Sequence, residues 1–259
     1  MNVERQAALV GQQPLQKAQV SQTTQALKTA QTPVLDHGSA AIAAFVAETA
    51  PPGEDVAQRC RSLFYAVRDG IDYEVFDTGL ADADLTGSAV LAAGRGFCLH
   101  KSILYATAVR HLGVPSRLVS GLVRNHPSSP DLRALVGGEV FLHWYTEIRL
   151  HGRWVKVTPV FNRLLCRMYG ITPLEFDGVH DAVFQPFDSV GREHLELLGD
   201  VRLHPDPDPE QIRELIGAVH PAMVTAASRV PSRAAFHRLP ADDPTDDPAD
   251  DPTHPTTDQ

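Results

Sequence analysis

Cys98 is the residue of this chain best placed to do covalent chemistry. It follows Gly94-Arg-Gly96-Phe97 and opens a run in which Leu99, Ile103, Ala106 and Val109 recur at helical spacing. The first turn of a helix offers free N–H groups and the positive end of the macrodipole, and both favour a thiolate over a thiol. A cysteine so placed is expected to titrate at about 3.5–7.5, against about 8.5 for a free one. The same N–H groups can hold the oxyanion of a tetrahedral intermediate. The two glycines let a substrate approach the backbone closely.

A thiol nucleophile needs an imidazole within hydrogen-bond reach. Twelve histidines are available, and His143 is the best placed. It belongs to a segment, Glu139 to Leu150, that alternates as a strand: Leu142, Trp144, Ile148 and Leu150 share one face, and His143, Tyr145, Glu147 and Arg149 the other. His100 follows Cys98 by two residues, nearly opposite on a helix, and His111 lies at that helix's far end. His126, His151, His180, His194, His204 and His220 fall in segments read as turns or polar stretches. No H-E-x-x-H or other metal-ligand spacing occurs, nor a G-x-S-x-G elbow or a complete G-x-G-x-x-G. The sequence therefore implies no metal and no organic cofactor.

The elements that must position these residues are also legible. Helices are predicted over 36–50 and 55–69, the first ended by Pro51-Pro52-Gly53 and the second by Gly70, with a third running from Cys98 to Gly113-Val-Pro115. Cys60 lies on the apolar stripe of the second helix and reads as a core residue. Ser116 to Arg124 reads as a strand. His151-Gly152 reads as a two-residue turn joining Glu139–Leu150 to a strand over Trp154–Thr158. That register sets Glu147 opposite Lys156, Arg149 opposite Trp154, and His143 diagonal to Thr158 on one face. The rest is read as irregular, with a short helix after Asp208. Helices first and antiparallel strands after them predict an α+β fold.

Three motifs taken together resemble the transglutaminase-like superfamily. They are Gly94-Arg-Gly-Phe-Cys98-Leu-His-Lys-Ser-Ile-Leu with its Leu112-Gly-Val-Pro-Ser-Arg117 ending, His143-Trp-Tyr-Thr-Glu147 with Gly152-Arg-Trp154-Val-Lys-Val-Thr-Pro159, and the upstream Val67-Arg-Asp-Gly-Ile-Asp-Tyr73. The resemblance covers roughly residues 55 to 200. It implies a papain-like α+β core with the cysteine on a helix N-terminus against a sheet carrying the histidine. It also implies an acyl-transfer enzyme acting on a peptide, an amide or a carrier-bound acyl group. The family's third catalytic residue is an Asp on the strand after the histidine, before a Pro; here Thr158 holds that place. A hydroxyl can fix the imidazole tautomer but cannot stabilise an imidazolium by charge. Asn162 and Asp177 are alternative orienters. The missing carboxylate leaves a second reading, a catalytically silent fold used to bind a protein.

Composition frames the rest. Residues 1–33 contain no aromatic residue and read as disordered; 34–205 form the transglutaminase-like domain, 206–235 a helical extension, and 236–259 a disordered tail. From Pro240 on there are seven Asp and no Lys or Arg, so the net charge of −9 falls to −2 without that stretch. A near-neutral folded part excludes an electrostatic nucleic-acid footprint. No apolar run reaches the roughly 18 residues that span a bilayer, and no signal-peptide pattern is read at the start. Three cysteines without C-x-x-C spacing argue against a disulfide framework, and the expected location is a reducing cytoplasm.

Overall fold

The computed structural model describes residues 30–125, 129–183 and 195–226. The acidic tail, and all but four residues of the N-terminal segment expected to be disordered, lie outside the described residues.

The helices begin where their caps dictate. Helix α1 (Ala40–Thr49) starts at Ser39, whose side chain accepts the Ile42 N–H, and α2 (Val56–Gly70) at Asp55, which accepts the Gln58 N–H. Strand β1 (Asp72–Tyr73) pairs in parallel with β2 (Arg95–Gly96), and α3 (Gly87–Ala93) lies between them, capped by Thr86 and closed by Gly94 at φ 64°. Helix α4 (Cys98–His111) differs: its N-cap is Phe97, which has no side chain to satisfy the first turn. The N–H groups at Cys98 are thus left without a side-chain cap.

Every residue of α4 from Cys98 to Arg110 is buried. The sequence shows an apolar side, Leu99 to Val109, but the structure wraps the helix all round. Helices α1, α2 and α3 pack on it from one direction and the sheet from the other. Its polar residues are therefore satisfied internally. Lys101 Nζ donates to the carbonyls of Arg68 and Ile71 at 2.8 and 2.6 Å, and Ser102 Oγ to the Trp144 carbonyl at 3.2 Å.

The main sheet has the order β5-β4-β3-β6, all antiparallel: β3 (Ser116–Asn125), β4 (Val140–Leu150), β5 (Arg153–Val157) and β6 (Leu195–His204). The expected hairpin register holds, with Glu147 opposite Lys156 and Arg149 opposite Trp154. His151 and Gly152, at φ 50° and 80°, supply the turn. One face of β4 packs on α4, where Thr146 Oγ1 donates to the Ser102 carbonyl at 3.0 Å. On the other face Arg117 pairs with Glu147 at 2.5 Å and lies 4.1 Å above the Trp154 ring.

Outside the hairpin the chain is more regular than expected. Helix α5 (Pro130–Val136) precedes β4, α6 (Arg163–Tyr169) follows β5, and β6 adds a fourth strand. Asp208 caps α7 (Pro209–Val219), the helix foreseen there, and α8 (Pro221–Ala226) follows. Ile212, Leu215, Ile216 and Val219 of α7 enter the same apolar cluster as Cys98, Leu142 and Trp144. The extension is thus part of the core that holds the site. Cys60, at 0% exposure, sits in a second cluster with Phe64 and Tyr105, as its stripe predicts.

Candidate active site

The pairing of β1 with β2 and the αL turn at Gly94 deliver the chain to Phe97, and α4 begins at Cys98. The sulfur comes to rest at an edge of β4. Past Val157, the last β5 residue paired with β4, the N–H groups of β4 on that side go to side chains. The Leu142 N–H donates to His220 Nε2 at 2.7 Å, and the Trp144 N–H points at the Cys98 sulfur. The N–H groups of Cys98 and Leu99 reach the same sulfur. Three backbone donors around one sulfur can serve a thiolate, or the oxyanion of an intermediate formed on it.

Burial opposes them. Cys98 is only 2% exposed, and desolvation pushes its thiol up to about 12, outweighing the three N–H groups. The helix-start argument predicts a low value from the N–H groups alone, and local sequence carries no sign of the enclosure. The resting sulfur is a neutral thiol.

Cys98 forms part of the wall of a cavity of about 100 Å³, together with Leu142, Trp144, Phe161, Ile216 and His220. His143 is not among the wall residues. Strand alternation carries its ring to the opposite face from Trp144, edge-on to Phe141 with ring centroids 6.0 Å apart. The ring is 2% exposed, and burial lowers its pKa to about 4, so the imidazole is neutral. The structure thus sets Cys98 beside the main chain one residue beyond His143, whose ring neighbours the cavity-lining Phe141.

Thr158 is 5% exposed, and its Oγ1 makes no hydrogen bond among the described residues. The two alternative orienters are occupied elsewhere. Asn162 caps α6, accepting the Leu165 N–H at 2.8 Å. Asp177 lies in an exposed turn, where it accepts His180 Nδ1 at 2.6 Å and the N–H groups of Val179 and His180 at 2.8 Å. His100 is buried, with Nε2 3.0 Å from the Gly79 carbonyl. No cluster of metal-ligating side chains occurs among the described residues.

Sequence reasoning did not foresee two groups at the site. Tyr73 lines the cavity, its ring 5.1 Å from that of Phe161; it ends the upstream motif, which was its only signal. His220 reads as a turn residue, yet it is 2% exposed and both its ring nitrogens are bonded, Nδ1 to the Val136 carbonyl at 2.9 Å. Its role depends on segments 78 and 84 residues away, which no local pattern reveals.

Residues 43–159 match the transglutaminase-like superfamily. They carry its core. This transglutaminase-like core runs from within α1 to two residues past β5, and Cys98, His143 and Thr158 all fall within it. Two solved structures are similar to the chain. One is described as a candidate cysteine protease from Cytophaga hutchinsonii, at 11% identity and a TM-score of 0.41, covering 71% of this chain and 54% of that one. The other is a candidate protease from Parabacteroides distasonis, at 12% identity and a TM-score of 0.33, covering 52% and 26%. The chain therefore spans about half the length of the first and about a quarter of the second. No curated protein matches the chain. No helix among the described residues is long and apolar enough to cross a membrane.

Proposed function

We propose that this chain is a cysteine-nucleophile acyl-transfer enzyme, with Cys98 as nucleophile, His143 as general base and acid, and Thr158 as the residue that orients the imidazole. The observation that carries the reading is the sulfur of Cys98 at an uncapped helix start, met by three backbone N–H groups on the wall of a cavity. A substrate carbonyl entering there meets the nucleophile and donors for its oxyanion together.

In the first half-reaction the sulfur adds to the carbonyl carbon while its proton passes to His143. Collapse of the intermediate breaks the bond to the leaving group, C–N in a peptide or amide and C–S or C–O in a carrier-bound acyl group, and His143 returns the proton to that leaving group. In the second, water or an amine attacks the thioester, gives its proton to His143, and the thiol is regenerated. The His143 ring must turn toward the open edge of β4 to do this. Burial keeps the ring neutral but lowers its basicity, so the imidazolium needs the bound intermediate to stabilise it as the proton arrives. The substrate is a peptide, an amide or a carrier-bound acyl group, and three free, buried cysteines fit a reducing cytoplasm.

The test is to trap the thioester. Intact-protein mass spectrometry after quenching with acid should find the acyl group on Cys98, and Cys98→Ala should lose it. An adduct on Cys60 or Cys166, or equal turnover in His143→Ala, sinks the assignment. The uncharged Thr158 at the family's acid position favours the second reading, a silent protein-binding fold. No turnover on any acyl donor, and no acyl adduct on Cys98, would favour that one.

A further inference from the structure

The cavity at Cys98 has walls whose chemistry narrows the substrate. Leu132 and Val136 of α5, Phe141, Phe161, Ile216 of α7 and Met223 of α8 make it predominantly apolar. No Lys, Arg, Asn or Gln stands among the described wall residues. Three of its polar residues are engaged with the protein. The Glu74 carboxylate accepts the N–H groups of Phe76 at 2.7 Å and Asp77 at 3.3 Å. Ser129 Oγ accepts the Leu132 N–H at 3.2 Å. His220 uses one ring nitrogen on Leu142 and the other on Val136. Tyr73 and Tyr169 add uncharged phenols.

Such a wall has no cation to hold a carboxylate or a phosphate, and no side-chain amide to pair with a carboxamide. A polar group driven into it loses its hydration without replacement, whereas an apolar one gains by leaving water. We propose that the acyl donor consumed at Cys98 carries an apolar side group, aromatic or branched aliphatic, which fills this cavity while its carbonyl meets the sulfur. The C-terminal helices help set that preference, because Ile216 and Met223 lie beyond the matched core of residues 43–159. Met223 is the adaptable part of the wall, since an unbranched thioether repacks around different shapes. The inference rests on the assignment of Cys98 as nucleophile and adds the class of acyl group it accepts.

Chloromethyl ketones test it on the full chain. In each, the Cys98 sulfur displaces chloride to form a thioether, and the thiol proton leaves with a base. Reagents built on phenylalanine, glutamine and glutamate are compared, each labelling rate being divided by the iodoacetamide rate at the same cysteine. The phenylalanine reagent should lead the other two by about tenfold or more. Met223→Lys should shift the ratio toward glutamate by a similar factor, while Met223→Leu keeps the parent order. Equal ratios for the three reagents, with Cys98 labelled, overturn the inference and leave the nucleophile standing.

A second arm separates the two ideas. Cys98→Ala protein is titrated with N-acetylphenylalanine amide and N-acetylglutamine amide, with binding read from NMR shifts. If nothing labels Cys98 but the phenylalanine amide binds and Met223→Lys weakens it, the cavity assignment stands and the chemistry falls. If neither amide binds and nothing labels, both fall.

Discussion

The backbone N–H of Trp144 points at the sulfur of Cys98, so the proposed nucleophile rests on the main chain beside its proposed base, His143. Ser102 Oγ on the Trp144 carbonyl and Thr146 Oγ1 on the Ser102 carbonyl hold α4 and β4 together at the site. The resting pair is not ionised. Burial lowers the His143 imidazole to about 4 and holds the thiol at about 12. Iodoacetamide labelling of Cys98 in the free protein should therefore climb about tenfold per pH unit through pH 9, following the thiolate fraction. A plateau below pH 8 would show an ion pair already formed, and would return the site to the low value that the helix start alone predicts.

Thr158 offers a cleaner separation of fold from function. Its buried hydroxyl makes no hydrogen bond among the described residues, so Thr158→Val removes a polar atom without breaking a native bond. The melting temperature should stay the same or rise slightly. Turnover should fall several-fold, because the hydroxyl is needed once His143 turns toward the sulfur. Turnover equal to the parent's would take Thr158 out of the site.

Four buried histidines make the fold sensitive to acid. His100, His143, His204 and His220 are each lowered to about 4, in every case mainly by desolvation. In the unfolded chain they titrate near 6.5, so between pH 6.5 and 4 the unfolded state binds more protons. Their contribution is complete above 6.5 and is lost as pH falls toward 4, at up to about 1.4 kcal/mol per pH unit for each histidine. Thermal melts should show a steep fall in that window. His204→Gln should make it shallower, and a flat profile from pH 7 to 4 would show that these rings accept protons without leaving their sites.

What was legible in the sequence was local. The Glu139–Leu150 alternation and the His151-Gly152 turn fix a register that two cross-strand pairs confirm. The glycines, Phe97 and Cys98 mark a helix start. Strand β6 escaped notice because it lies at the sheet edge with few buried residues, and Gly199, at φ 72°, breaks its alternation. The enclosure of Cys98 was equally hidden. It depends on α7, more than 100 residues downstream, which enters the same core cluster.

Arg110 ties that distant segment to the site's scaffold. It is 2% exposed at the end of α4, and burial lowers its pKa to about 10, which leaves it charged at neutral pH. Its guanidinium donates to the Ala30 carbonyl at 2.6 Å, the Pro205 carbonyl at 2.7 Å, and the Ser116 carbonyl and hydroxyl at 2.8 and 3.2 Å. One planar fork thus holds the lead into α1, the start of β3 and the link from β6 to α7. Arg110→Ala leaves those buried acceptors unpaired and should cost about 3 kcal/mol, a fall of roughly 6–12 °C in melting temperature. Arg110→Lys should recover little of it, because a single ammonium cannot span three segments. Limited proteolysis should show faster cleavage near Pro205 in both variants. A fall no larger than that of the surface variant Arg153→Ala would mean that packing, not Arg110, holds α7 in place.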